Sequence, residues 1–187
     1  SWIEVDAEDK RFYNESAAYH RQHMKYKQYG HYVDVPHDRA LPVSLIFDDK
    51  TCQAGAIVTK WLSWPITTLG YTWSDDNSVE IEKGWIVKAD TIEELAAKMQ
   101  GVNPSSEVET CDAEGLKATF DAYNAACKKG KDADFERSAD SMQALSEEGP
   151  YYAIEMCCSS INTQGGPWHD GYNRTLDAQG NVIPRLY

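Results

Sequence analysis

The sequence predicts an α+β fold, in which a small mixed or antiparallel sheet packs against helices. Apolar, β-prone runs lie near both ends of the chain, at residues 2–5 and 151–156. The clearest helical patterns lie between them, at residues 92–100 and 112–128. No internal repeat or low-complexity linker divides the chain, which suits a single domain. This order favours one sheet that includes strands from both ends, as in a domain inserted into another domain.

The N-terminal region is predicted to begin with a hairpin. The first strand is followed by a turn at residues 6–10, after which residues 11–13 resume the extended pattern. Residues 16–29 have helical composition, with Ser16 as a possible N-cap and Gly30 as the stop signal. The pattern therefore predicts a helix directly after the hairpin.

A buried strand and an irregular segment come next. Residues 41–47 are apolar and β-prone, and residues 48–50 then open a short helix or loop. Residues 61–77 lose all periodicity, and loops of this length are usually functional or mobile. The aromatic side chains in this segment suit substrate contact and core packing equally well; they are Trp61, Trp64, Tyr71 and Trp73.

Capping residues define the two central helices. Thr91 and Glu94 form a capping box before the first helix, and Gly101 follows its end. The second helix has apolar residues at three- and four-residue spacing and is followed by Gly130. A short strand is predicted before them at residues 84–87.

The C-terminal region returns to extended structure. After the strand at residues 151–156, a further short strand is predicted at residues 166–169, and a hairpin turn at residues 178–181.

Composition excludes several classes of function. The net charge of −12 disfavours nucleic acid or an anionic membrane as partner. No apolar stretch approaches the roughly 18 residues that a membrane span needs. The five cysteines show no CxxC spacing and are expected to be free thiols, and the histidines at 20, 23, 31 and 37 lack a third fixed ligand, so no metal is predicted.

Several separated stretches resemble one family. They are DKRFYNE at residues 9–15, SLIFDD at 44–49, GWIVKADTIEELAAKM at 84–99, FDAYNAACKKGKDADFER at 120–137, and PYYAI, TQGG and LDAQGNVIPRLY within 150–187. In this order they resemble the FAD-dependent oxidoreductases of the fumarate reductase and succinate dehydrogenase flavoprotein type. That group also holds urocanate reductases and 3-ketosteroid dehydrogenases.

The resemblance implies a domain organisation. In that family a capping domain interrupts a Rossmann-like FAD domain and closes over substrate and flavin. This chain resembles a fragment with a cap at about residues 16–149, while residues 1–15 and 150–187 lead to and from the FAD domain. No Gly-x-Gly-x-x-Gly phosphate loop occurs in the sequence. The Rossmann-like core is therefore expected to be missing here, and FAD is expected only in the full-length protein.

The resemblance also implies site residues near the N-terminus. Arg11, Asn14 and Glu15 match an Arg-Phe-x-Asn-Glu motif and are assigned to substrate binding; the alternative is a strand end at which Asn14 and Glu15 satisfy turn amides. Tyr19 stands where fumarate reductases have a catalytic, proton-delivering arginine. Ketosteroid dehydrogenase-like members place a tyrosine in this region, so Tyr19 is the catalytic candidate, with a packed helical aromatic as the alternative.

A second set of site residues surrounds the double glycine. Fumarate reductases have two histidines before Thr-x-Gly-Gly, where this chain has Ile161 and Asn162. By resemblance, Asn162 and Thr163 contact substrate, and the residues assigned to the cofactor are Gln164, Gly165, Gly166 and Tyr187. Small residues let backbone approach a planar ring, although a plain glycine turn between strands is the alternative.

These departures imply a substrate other than fumarate. A guanidinium and two imidazoles suit a dicarboxylate, and their loss favours a less anionic enone or an aromatic acrylate as the small molecule with an activated double bond. The alternative function is a non-catalytic ligand-binding or interaction module with the same cap fold.

Overall fold

The structure is a computed structural model that describes residues 1–16, 25–28, 31–34, 43–58, 70–99, 111–156 and 166–186. Residues 25–28 and 31–34 are described by their backbone alone. None of the helices in these ranges is long and apolar enough to cross a membrane.

Among the described residues, the main sheet has four antiparallel strands. Along the chain these are β1 (Trp2–Val5), β4 (Val43–Asp48), β5 (Val87–Ala89) and β6 (Tyr151–Met156), and their order in the sheet is β1-β4-β6-β5. The first strand and the strand at 151–156 therefore both border β4, which confirms that segments from the two ends of the chain share one sheet. The predicted strand at 84–87 lies three residues later, at β5.

A second, two-stranded sheet corrects the helix predicted at residues 16–29 over residues 25–28, while residues 17–24 and 29 lie outside the described residues. Strands β2 (Lys25–Gln28) and β3 (His31–Asp34) pair antiparallel, with Gln28 opposite His31. Only two residues, including Gly30, separate the strands in sequence, and such a spacing is a hairpin signal. The glycine was interpreted as a helix stop, although it suits a hairpin equally well.

The predicted N-terminal hairpin is also wrong. The turn at residues 6–10 exists, since the Asp6 N–H donates to the Lys10 carbonyl at 2.9 Å. Residues 11–13 are not a strand. Strand β1 pairs with β4 instead, in a register of four residue pairs that places Trp2 opposite Phe47 and Ile3 opposite Ile46.

The described part of the chain contains four α-helices, all between β4 and β6 in sequence. They are α1 (Asp49–Gln53), α2 (Ser78–Glu82), α3 (Ile92–Met99) and α4 (Ala113–Lys129), with a 3₁₀ turn at Ala139–Ser141. At α3 the Thr91 hydroxyl accepts from the Glu94 N–H at 3.1 Å, which confirms half of the predicted capping box. At α4 Gly130 closes the helix in the left-handed conformation, as predicted.

The core covers both faces of the sheet. On one face α3 and α4 pack against β1, β4 and β6 through Leu95, Leu116 and Phe120, and the Phe120 ring meets Tyr151 edge-on at 5.3 Å. On the other face Phe47 and Tyr152 stack at 5.3 Å next to α1. The central strand β4 is therefore buried on both sides.

The C-terminal segment is irregular. Residues 166–169 do not form a strand, and a single bridge joins His169 to Thr175. A second bridge joins Leu176 to Val182 across the predicted turn, where the Asp177 N–H donates to the Asn181 carbonyl at 2.8 Å. The cysteines at 52, 111 and 127 are free thiols, as expected.

Candidate functional site

Two of the stretches that resemble the family, at residues 9–15 and 120–137, meet in one buried cluster of ion pairs. Arg11 donates to both oxygens of Glu15, from Nε to Oε1 at 2.6 Å and from Nη2 to Oε2 at 2.7 Å. The same Nη2 donates to Asp132 Oδ2 at 2.8 Å, across 121 residues of sequence. Bidentate pairing of this kind fixes the relative orientation of the two groups as well as their distance.

A second arginine completes the cluster. Arg137 Nη1 donates to Glu15 Oε2 at 3.3 Å and to the Trp2 carbonyl of β1 at 3.0 Å, while Nη2 donates to the Ser141 carbonyl at 3.1 Å. Two guanidinium and two carboxylate groups thus face one another. The exposed fraction of each of these four side chains is 7% or less.

The electrostatics of the cluster depend on this mutual pairing. Burial alone would raise the pKa of Asp132, but the hydrogen bond and the charge of Arg11 outweigh burial and hold that pKa below its ordinary value. Burial would likewise lower the pKa of Arg11, yet Glu15 and Asp132 raise it above the ordinary value. The Arg11 guanidinium also lies 5.0 Å from the ring centroids of both Tyr123 and Phe135. Asp132 and Arg11 are therefore both charged at neutral pH.

Local turns bring the first motif into place. Asp6 Oδ1 accepts from the backbone N–H groups of Glu8 and Lys10, which turns the chain back beside β1. Asn14 Oδ1 accepts from the Ser16 N–H at 3.0 Å and from its hydroxyl at 2.7 Å. Asn14 therefore satisfies a turn amide, and its assignment to substrate binding stays a prediction.

The geometry gives Arg11 and Glu15 partners within the protein. Glu15 accepts from both arginines and, at 3.4 Å, from the Glu4 N–H, and its side chain has no exposed surface. The substrate-binding role assigned to these residues stays a prediction. Sequence reasoning gave no role to Asp132 and Arg137, although both lie in the Asp-x-x-Phe-x-Arg pattern that was part of the resemblance.

All but one of the remaining predicted site residues lie outside the described residues. These are Tyr19, Asn162, Thr163, Gln164, Gly165 and Tyr187. The sheet register nevertheless shows where their segments start. Val43 pairs with Met156, and Ser44 pairs with Val5. The chain therefore leaves β6 towards residues 157–165 from the same end of the sheet at which β1 ends and β4 begins.

Gly166 is the one residue assigned to the cofactor that the structure describes. Its φ of +111° is a backbone conformation that residues with a side chain rarely adopt, and no heavy atom lies within 4 Å of the place where a Cβ would be. This open backbone fits the close approach of a planar ring system such as a flavin. A phosphate-binding glycine loop, by contrast, is absent from the sequence.

Tyr71 and Trp73 are the two described aromatic residues of the irregular segment at residues 61–77, and buried polar groups hold both side chains. The Tyr71 hydroxyl donates to Glu80 at 2.5 Å, which raises the pKa of Tyr71 to about 12. The Trp73 indole donates to Asn77 Oδ1 at 3.0 Å. Both rings lie against Trp85, which is 45% exposed. The polar ends of Tyr71 and Trp73 are thus engaged in the fold, while part of the aromatic surface reaches solvent.

A groove among the described residues lies apart from the cluster of ion pairs. It has a volume of about 710 Å³ between the start of α3, one side of α4 and residues 147–151. Its charged rim is paired, with Lys117 bound to Asp121 at 2.7 Å and Lys128 to Glu147 at 2.8 Å. None of the predicted site residues lines it. Among the residues with described positions, no group of three His, Cys, Asp or Glu side chains could hold a metal ion.

Comparison with known proteins gives the family. The model of the FAD binding domain family matches residues 3–187. The chain is 38% identical to the NADH:acrylate oxidoreductase of Vibrio harveyi over 58% of this chain and 10% of that protein. It is 30% identical to the 3-oxosteroid 1-dehydrogenase of Mycolicibacterium smegmatis over 99% of this chain and 32% of that protein.

A solved structure shares the fold. The open conformation of a flavocytochrome c3 fumarate reductase superposes with a TM-score of 0.61 at 21% identity, covering 100% of this chain and 26% of that one. The chain thus spans about a tenth to a third of the length of the relatives it matches. The chain belongs to the FAD binding domain family, among flavoproteins of the fumarate reductase and succinate dehydrogenase type.

Proposed function

We propose that this chain is the substrate-capping part of an FAD-dependent oxidoreductase that reduces or forms an activated carbon–carbon double bond. One observation carries the proposal: two motifs of the matched family interlock through Arg11, Glu15, Asp132 and Arg137. Residues 16–149 form the cap, and residues 1–15 and 150–187 connect it to a Rossmann-like FAD-binding domain in the complete protein. The pairing of β4 with both β1 and β6 supports this division, because it holds the two connecting segments together.

In the complete enzyme the bound FAD supplies hydride transfer to or from the substrate. The residues of this chain orient the substrate, exclude water and move the proton. Tyr19 holds the proton that is exchanged with the carbon next to the site of hydride transfer. Gly165 and Gly166 let the backbone approach the flavin ring. Asn162 and Thr163 are assigned to contacts with the substrate.

The substrate is a less anionic enone or an aromatic acrylate. Tyr19 offers a phenol where fumarate reductases have an arginine, and Ile161 and Asn162 stand in place of two histidines. These three positions are therefore without a cationic group. Binding a dicarboxylate there would bury charge without a partner, which is costly. The relatives include a 3-oxosteroid dehydrogenase and an acrylate oxidoreductase, in line with this substrate class.

The test uses the full-length protein, purified with its native cofactor. We expect a flavin absorption band that bleaches with dithionite and recovers on addition of a cyclic enone or cinnamate, and recovers far less with fumarate. Tyr19→Phe should retain flavin and lower the reoxidation rate by about 10²- to 10⁴-fold, the usual contribution of a general acid. Tyr172→Phe, on an 82% exposed side chain, is the control and should react as the wild type does.

Two results would contradict the proposal in different ways. An intact protein without flavin would leave a ligand-binding module as the function. A flavin-loaded Tyr19→Phe variant with the wild-type rate would retain the oxidoreductase and remove Tyr19 from the proton transfer.

A further inference from the structure

Strand β1 lies at an edge of the main sheet, and among the described strands it pairs with β4 alone. Adjacent residues of a strand direct their backbone N–H and C=O groups to opposite edges, so the side of β1 away from β4 needs other partners. The Trp2 carbonyl and the Glu4 N–H lie on that side, because both are bound to side chains rather than to β4. Such an edge is a template on which another chain can add a strand.

Two charged side chains stand where the next strand would lie. Arg137 Nη1 donates to the Trp2 carbonyl at 3.0 Å, and Glu15 Oε1 accepts from the Glu4 N–H at 3.4 Å. The two side chains are also joined to each other, from Nη1 to Oε2 at 3.3 Å. A residue of a neighbouring strand would offer the same two groups, one N–H and one carbonyl. The Glu15–Arg137 pair therefore replaces one residue of a further strand.

This pair is buried and anchored. The exposed fraction of the side chain is 4% for Arg137 and 0% for Glu15. The Arg137 guanidinium lies 5.2 Å from the centroid of the Trp2 ring, and Arg11 holds Glu15 through two hydrogen bonds. Charged side chains placed against an edge block it, because an incoming strand would leave them buried without partners.

The edge beneath the pair is complementary to itself. In an antiparallel ladder, two opposite residues exchange both of their N–H···O bonds. If two copies met around a two-fold axis at Ile3, the Glu4 N–H of each copy would face the Trp2 carbonyl of the other. Contacts with this symmetry close on themselves and need no third partner. A second copy of this chain is therefore the partner that fits the edge of β1 when it is uncovered.

We infer that the Glu15–Arg137 pair is an edge cover, which keeps β1 from pairing with β1 of a second copy. The cover consists of side chains held by ion pairs, so it can open locally while the sheet stays folded. Association draws on the opened form, and a small opened population is enough to drive it. The inference concerns assembly and does not depend on the proposed flavin chemistry.

The test measures the mass of the full-length protein by sedimentation over a wide range of concentration. Arg137→Met keeps the apolar stem but removes the donor to Trp2, and we expect its mass to rise with concentration towards twice that of the wild type. Arg137→Lys keeps a charged donor and should retain the wild-type mass. Gly149→Ala is the matched control, because it strains the contact with Asp90 and leaves β1 intact.

Lysine cross-linking locates the contact between the copies. The Lys10 side chain is 64% exposed, and the Lys10 carbonyl accepts from the Asp6 N–H directly after β1. A cross-link between the Lys10 side chains of two copies should form in Arg137→Met and not in the wild type. The wild-type mass in Arg137→Met would overturn the inference, as would equal association of Arg137→Lys or Gly149→Ala.

A measurement on the wild type decides the case even if Arg137→Met does not fold. Residue-resolved hydrogen exchange in the full-length protein should give the Glu4 N–H a rate within about tenfold of those of Ile3 and Val5, which face β4. Rapid exchange at Glu4 alone would mean that this edge of β1 is open in the wild type, and the edge cover would then not exist.

Discussion

At the scale of single residues, the carboxylate of Glu15 is the most deeply buried group of the ion-pair cluster. It lies between two guanidinium groups with no solvent contact, and its partners come from both motifs. The sequence could identify Arg11 and Glu15 as notable, because the motif is local. It could not assign their partners, because the contact to Asp132 spans 121 residues.

Replacing Glu15 with Gln should therefore destabilise the chain. The change keeps the shape but leaves two buried arginines facing a neutral amide, and breaking a buried pair costs about 3–5 kcal/mol. Urea unfolding followed by tryptophan fluorescence measures the loss. Glu147→Gln, which removes a solvent-exposed pair with Lys128, is the control and should leave the unfolding midpoint unchanged. Equal effects of the two variants would show that the cluster adds no stability.

At the scale of elements, local signals and long-range pairing differed in how well they could be predicted. Helices α3 and α4 were predicted to within one residue at each end, because caps such as Thr91 and Gly130 lie next to the helices they define. The partner of β1 was not predicted correctly, because β4 lies some 40 residues away and the choice of partner strand depends on burial. The strand at 25–28 was missed because its basic and aromatic residues also suit a helix.

The approach of β6 to the start of α3 gives a prediction at this scale. A Cβ on Gly149 would overlap the carbonyl oxygen of Asp90, a backbone atom that cannot move aside cheaply. Gly149→Ala should lower the free energy of unfolding by about 1–3 kcal/mol, as overpacking commonly does. Gly171→Ala, with open space around its Cβ and no positive φ, serves as the control in the same thermal melt. If both variants melt together, the close approach of the two segments is wrong.

At the scale of the whole molecule, ionised side chains buried between elements link stability to pH. The pKa of Asp132 lies below its ordinary value of 3.8 in the folded chain, because the pairing with Arg11 outweighs burial. A carboxyl group with a lowered folded pKa binds its proton less readily in the folded state than in the unfolded state. Its stabilisation is therefore complete above the unfolded pKa and is lost as the pH falls through the folded one.

The difference in unfolding free energy between the wild type and Asp132→Asn should follow the same course. We expect it to be constant from pH 7 down to about 5 and to shrink steadily below pH 4. Urea titrations at intervals of half a pH unit measure it. A difference that does not change with pH down to 2 would mean that the charge of Asp132 is not what stabilises the fold.

The order of strands in the main sheet also determines when the protein can fold during synthesis. The two central strands of the sheet are β4 and β6, which pair with Phe47 opposite Tyr152. Strand β4 therefore gains its second partner only after residue 156 has been made. Until then the ribosome holds a chain whose most apolar strand presents an unpaired edge, which is a template for association with other chains. Folding of this domain therefore depends on contacts between segments far apart in the sequence, which makes it slow.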